Sequence, residues 1–154
     1  MTADELLPEA QNYEAELISA RRYLHTHPGT CFDIQDTLTF VKNKLIEMGY
    51  EPKDCGKAGL VAIAGGKKPA KLLKNHEDEI NGTIKLMFQP AEEVFEGSKD
   101  MISSGLLKNP DVNAALMIHV MAGMPFETGT AIVSDGGVSA PAADYFTIII
   151  QGMV

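Results

Sequence analysis

Thr83-Ile84-Lys85-Leu86-Met87-Phe88-Gln89-Pro90-Ala91-Glu92-Glu93 is the stretch on which the reading of this chain turns. Ile84, Leu86 and Phe88 alternate with Thr83, Lys85 and Gln89. That period of two predicts a strand with one face strongly buried, the polar face being interrupted at Met87. Pro90 has no N–H to give a central ladder, so the strand is expected to stop near Gln89. Glu92 and Glu93 then fall on the loop at the strand's C-terminal end, the edge at which open α/β sheets bind ligands. Adjacent carboxylates there suit a division of labour, one toward a metal ion and one toward a water that the metal activates. A solvated surface turn carries the same two residues, so the pair alone decides nothing.

Working outward, Ser98 to Ser104 reads as a short helix stopped by Gly105. Asn109-Pro110-Asp111 marks a turn, and Ala114 to Val120 reads as a further strand with His119 at its end. A helical crossover favours parallel placement of the two strands on one sheet edge. Glutamate oxygen and imidazole nitrogen would then converge where a zinc-like ion is commonly held. A lone histidine at a strand end also serves as an ordinary structural residue.

Upstream, residues 2 to about 26 read as helix, with Thr2 and Glu5 fitting a capping box and Pro8 marking a second start or a kink. His25 and His27 close it; such a pair could chelate a metal in an extended chain, but at a helix end it more simply makes local hydrogen bonds. Asp33 is a candidate cap for the clearest helix, in which Ile34, Leu38, Val41, Leu45 and Met48 recur at spacings of four and three before Gly49. Tyr50 to Pro52 is expected to be short and extended, and Gly59 to Ala64 to be an apolar strand. Gly65-Gly66-Lys67 lacks the earlier glycine and the following Ser/Thr of a phosphate loop. Pro69 to Ile80 reads as a helix carrying a solvated His76, and Asn81-Gly82 turns the chain into the central strand. Beyond Phe126, Thr130 to Ser134 and Tyr145 to Gln151 read as strands.

The totals narrow the class. A chain of 154 residues with 45% hydrophobic and 22% charged residues is ordinary for one globular domain or slightly more. A net charge of −8 and the absence of a Lys/Arg cluster argue against a nucleic-acid surface. No apolar run is long enough for a membrane span, and the acidic N-terminus does not resemble a signal peptide. Cys31 and Cys55 have neither metal-type nor redox-type spacing, which predicts reduced thiols in a cytoplasmic protein. No Gly-x-Ser-x-Gly elbow is present to support serine nucleophilic catalysis.

Five motifs, in this order, carry a family pattern: Arg21-Arg22-Tyr23-Leu24-His25-Thr26-His27-Pro28, Phe88-Gln89-Pro90-Ala91-Glu92-Glu93, Met117-Ile118-His119-Val120, Gly123-Met124-Pro125 and Ala142-Ala143-Asp144-Tyr145-Phe146. The ordered set resembles the amidohydrolase branch of the aminoacylase and zinc-carboxypeptidase family, which includes N-acyl-amino-acid hydrolases, hippurate hydrolases and plant auxin-conjugate hydrolases. The resemblance implies an α/β fold, with a helix-flanked mixed β-sheet over residues 1–139 forming part of a catalytic domain. Residues 140–154 would begin a lid or dimerisation domain. It also implies metal-dependent hydrolysis of the amide bond of N-acyl amino acids or small peptides. Glu92 would be the general base toward the metal-activated water, and Glu93 and His119 would be metal ligands. The cofactors would be two divalent ions, zinc, manganese or cobalt. The partner would be a small-molecule substrate, with no nucleic acid and no membrane. Separately from the resemblance, an uncovered apolar edge at the Tyr145 to Gln151 strand favours association, so a homo-oligomer is expected.

The chain departs from the family pattern where Lys67-Lys68-Pro69-Ala70 joins two elements directly. The family places a strand and a Cys-Gly-His-Asp ligand segment there, and neither Cys31 nor Cys55 replaces it. The family also continues beyond the point matching Gln151-Gly152, to a further ligand histidine. Three readings follow: a metal-dependent amidohydrolase, an inactive truncated or internally deleted relative of one, and a small α/β ligand-binding or interaction domain.

Overall fold

The computed structural model describes residues 3–64 and 82–120, and within 123–137 it describes 123, 125–127, 129–133 and 136–137. The chain divides into two units, Met1–Ala115 and Leu116–Val154.

The first unit is built on a three-stranded antiparallel sheet of β1 (Lys53–Cys55), β2 (Gly59–Ala64) and β3 (Ile84–Phe88), in that order. Cys55 pairs with Gly59 across a tight hairpin, and Ala62 pairs with Leu86 in the β2–β3 ladder. Both faces of this sheet are covered. On one face Ala62 and Ala64, with Ile84 and Leu86, pack against Leu45, Tyr50, Val41 and Met48, which belong to or follow α3 (Gln35–Glu47). On the other, Val61 and Met87 pack against Cys55, Met101 and Leu106, which brings in α4 (Gly97–Ser103). Met87, which interrupts the polar alternation in the sequence, is therefore the β3 contribution to a second core. The helix-on-both-faces arrangement bears out the α/β class.

Glycine endings attach each helix to its core. After α3, Gly49 adopts φ 85°, its N–H bonds to Ile46 O at 2.8 Å, and Tyr50 N–H bonds to Leu45 O at 2.9 Å. After α4, Gly105 adopts φ 90°, with Gly105 N–H on Ile102 O at 3.0 Å and Leu106 N–H on Met101 O at 3.0 Å. Both are Schellman motifs, in which the residue after the glycine makes an apolar contact with the residue three before the cap. Tyr50 with Leu45 and Leu106 with Met101 are those contacts, and each pair lies in its own core.

The N-terminal segment is two helices, α1 (Ala3–Gln11) and α2 (Glu14–Thr26), rather than one. The break lies past Pro8, where Asn12 N–H and Tyr13 N–H reach back three residues to Glu9 O and Ala10 O and tighten the turn. Tyr23 on α2 stacks on Phe40 of α3 with ring centroids 4.5 Å apart. Asp33 does not cap α3: Ile34 is the N-cap, and Asp33 exchanges backbone hydrogen bonds with Thr30 instead. Strand β1 begins at Lys53, later than the extended stretch expected at 50–52, because pairing to Val61, not apolar content, sets its start.

The hairpin is tied to α4 by Asp100, whose Oδ2 accepts from Lys57 N–H at 2.6 Å. Lys85 fastens the segment after α4: its ammonium donates to Leu106 O, Lys108 O and Pro110 O at 2.8, 2.8 and 3.0 Å. Residues 114–120, expected as a strand, have no regular secondary structure. A strand needs a ladder partner, and none pairs with them among the described residues. Thr130 to Val133 are likewise without strand pairing. The helix expected at 69–80, the strand at 145–151, Thr2 of the capping box and the start of a second domain near 140 lie outside the described residues.

Candidate functional site

Strand β3 delivers the two carboxylates as its sequence suggests. The ladder ends at Phe88, Pro90 is buried, and Glu92–Val94 form a single 3-10 turn. Glu92 and Glu93 are exposed on that turn. The turn is bracketed by two left-handed residues that are not glycine, Ala91 at φ 50° and Phe95 at φ 56°. Each such residue costs on the order of 1–2 kcal/mol and persists only where its surroundings over-determine it. Two backbone bonds close the turn, Phe95 N–H on Glu92 O at 2.9 Å and Gly97 N–H on Ala91 O at 3.4 Å. Beneath it, Gly97 is buried so close to the Pro90 carbonyl that a Cβ there would collide with the oxygen.

His119 lies in the second unit. Its ring is exposed, with Nδ1 3.1 Å from Val120 O. A carbonyl only accepts, so Nδ1 carries the hydrogen, and in the neutral ring Nε2 keeps its lone pair. That tautomer is the one a metal-ligating imidazole needs at Nε2. Leu116, Met117, Ile118 and Val120 around it are exposed apolar side chains.

The carboxylate oxygens of the turn and, in the second unit, an Nε2-open imidazole are each of a donor type that a divalent ion accepts. The donor number is smaller than such an ion needs: among the described residues, no group of three or more His, Cys, Asp or Glu side chains is gathered at metal-binding distance. Of the His25/His27 pair, His27 makes local contacts at the end of α2. His27 stacks on Tyr23 at 4.2 Å and donates Nδ1–H to Tyr23 O at 2.9 Å, while the Thr26 hydroxyl donates to the same carbonyl. His27 also lines a cleft of about 400 Å³ at the start of α3, together with Thr30, Asp33 and Asp36.

Of the two cysteines, Cys31 is exposed and Cys55 is buried, and both are free. Burial pushes the Cys55 thiol above its ordinary value, the positive Lys85 opposing and Asp100 adding to the rise. Cys55 Sγ lies 3.6 Å from Met101 O, a structural contact. No described helix is long and apolar enough to cross a membrane. Gly97 and the left-handed pair Ala91 and Phe95 have no signature in the sequence beyond the glycine itself. Close backbone approach is a property of the fold.

Comparison with known proteins places this geometry. The model of peptidase family M20/M25/M40 matches residues 54–144, well over half of the chain and inclusive of Glu92, Glu93 and His119. The chain is 41% identical over 98 residues to the IAA-amino acid hydrolase ILR1-like 2 of Arabidopsis thaliana, covering 64% of this chain and 21% of that protein. It is 35% identical to the N-acetylcysteine deacetylase of Bacillus subtilis, over 91% of this chain and 48% of that protein. The chain thus spans about half the length, or less, of these curated relatives. Among solved structures, the Bacillus subtilis YXEP protein, a dinuclear metal binding peptidase from the M20 family, superposes with a TM-score of 0.56 at 22% identity. The likeness covers 63% of this chain and 41% of that one, and it shows a shared fold. On the matched family model and the shared fold, the chain belongs to peptidase family M20/M25/M40.

Proposed function

We propose that the protein is a metal-dependent amidohydrolase that cleaves the amide bond of N-acyl amino acids or small peptides. The observation that carries the reading is the turn at Glu92 and Glu93. Two adjacent carboxylates are held on a tight turn at a strand end, between two strained residues and over a buried glycine whose Cβ would meet the Pro90 carbonyl. Strain held on both sides of two adjacent carboxylates at a strand end supports a functional reading. Membership of a peptidase family and the hydrolase and deacetylase names of its relatives support the chemistry.

Within this reading Glu93 and His119 would hold a divalent ion, zinc, manganese or cobalt, through carboxylate oxygen and Nε2. When bound, the ion would polarise the scissile carbonyl and lower the pKa of water. Glu92 would take the proton from the attacking water and return it to the leaving amine as the bond breaks. The exposed setting of the turn leaves room for a substrate. The remaining ligands would come from residues outside those described. The two free cysteines support a cytoplasmic location, and we take the protein to work as a homo-oligomer, which light scattering tests.

Glu92→Gln keeps the shape and removes the base. Metal content by atomic absorption is expected to stay at the wild-type level while turnover of an N-acetyl amino acid falls about 10²–10⁴-fold. Wild-type turnover in Glu92→Gln overturns the assignment.

A further inference from the structure

We infer that Phe95, with Val94 before it, is a specificity residue whose ring takes an apolar group that the substrate carries beside the scissile amide. The inference rests on the proposed role of Glu92 and Glu93 and adds a substrate preference to it. Val94 is 41% exposed and Phe95 46% exposed, next in sequence to the two carboxylates. Apolar residues scattered singly over a surface need no explanation, but these two are consecutive and share a turn with the candidate base. Neither is a member of the core around Leu45 and Tyr50 or of the core around Met101 and Leu106.

The backbone fixes how far the ring lies from the base. Phe95 N–H bonds to Glu92 O at 2.9 Å and closes a four-residue turn, which keeps the two Cα atoms within about 7 Å of each other. A substrate amide brought to Glu92 therefore has its neighbouring substituents within reach of Phe95. At φ 56° the residue holds a conformation that Gly or Asn adopts at lower cost than a bulky side chain. An aromatic side chain at such a position, almost half of it in solvent, supports a use for the ring beyond shaping the turn. Whatever the ring packs against on its covered side, its open side is apolar surface beside two carboxylates. An apolar substituent gains there, because it leaves water against the ring and brings no further negative charge to Glu92 and Glu93.

The test is a substrate series on the full chain supplied with Co²⁺. It compares kcat/KM for N-acetylglycine, for N-phenylacetylglycine, which carries the apolar group on the acyl side, and for N-acetylphenylalanine, which carries it on the amino-acid side. The wild type is expected to prefer one of the two phenyl-bearing substrates over N-acetylglycine by at least about tenfold, and the preferred one tells which side of the amide meets the ring. Phe95→Asn, which keeps the left-handed backbone, is expected to remove most of that preference, and Phe95→Leu to restore part of it. Ile46→Gln changes another exposed apolar residue, on α3, and is expected to keep the preference. A wild type without preference, a preference unchanged in Phe95→Asn, or one lost equally in Ile46→Gln overturns the inference and leaves the hydrolase reading intact. If the wild type hydrolyses none of the three, binding of the two phenyl-bearing compounds is followed by the Val94 methyl resonances. A shift with either that is absent with N-acetylglycine and in Phe95→Asn supports the inference while the hydrolase reading fails; no such shift overturns both. If Phe95→Asn does not fold, Phe95→Gly takes its place, and if neither folds the ring is structural and the inference is overturned.

Discussion

Replacing Lys85 by methionine removes one ammonium and leaves three carbonyls without their donor. Those of Leu106, Lys108 and Pro110 lie 2.8 to 3.0 Å from Nζ, all on the segment that follows α4. A hydrogen bond to a charged group contributes about 1.5–3 kcal/mol, so three independent bonds would suggest a much larger loss than is expected here. The bonds to Lys108 and Pro110 are exposed, and water replaces the donor there; the bond to Leu106 is partly buried. The expected loss is therefore dominated by one bond, about 2–3 kcal/mol in all. The methionine stem retains the packing of the lysine chain, so the change isolates the charge. In urea unfolding followed by far-UV circular dichroism, the midpoint should fall on the order of 1–2 M at unchanged slope. Lys85→Arg should recover only part of this, because a planar guanidinium does not aim three donors as a tripod. The Val112 amide, bonded to Leu107 O at 3.1 Å, should exchange faster in both variants. A loss under about 0.5 kcal/mol in Lys85→Met would refute the view that this lysine holds the segment.

Two further outcomes follow from the cores. Met101 is fully buried between the hairpin and α4, so Met101→Ala should lose about 2–5 kcal/mol by urea unfolding, with the hairpin amides losing protection together with those of α4. Burial raises the Cys55 thiol pKa, which means the folded state favours the neutral form. Its stabilising contribution is present in full below the unfolded-state value of about 8.5 and is lost as pH rises from there toward the folded-state value. Relative to Cys55→Ala, the wild type should lose stability above that pH, and a disulfide-exchange reagent at pH 8 should label Cys31 fast and Cys55 slowly.

The elements legible in the sequence are those fixed by local chemistry. The strand over 84–88, its stop at Pro90, the strand over 59–64 and the helix stops at Gly49 and Gly105 all follow from periodicity, a missing N–H or a left-handed glycine. What misled were positions where a contact outside the element itself decides. Asp33 has the side chain of a cap, but a backbone exchange with Thr30 claims it. Met87 looks like a flaw in a one-sided strand because α4, which gives that face its core, is distant in sequence. Residues 114–120 carry the apolar character of a strand, and no described strand pairs with them. At the candidate site, the adjacency of Glu92 and Glu93 and their place after the strand were visible. The left-handed residues on either side and the contact between Gly97 and Pro90 were not, because neither leaves a residue pattern. The Lys85 tripod was hidden for the same reason, a lysine on a strand's polar side reading as solvated.

The central claim is tested most directly by assaying the purified protein on an N-acetyl amino acid before and after chelation, alongside Glu92→Gln with its metal content measured. The account predicts turnover that is lost with the metal and regained with zinc, manganese or cobalt, and a Glu92→Gln protein that holds the metal but is at least about 100-fold slower. Turnover that survives chelation, or a Glu92→Gln protein as fast as the wild type, would contradict it.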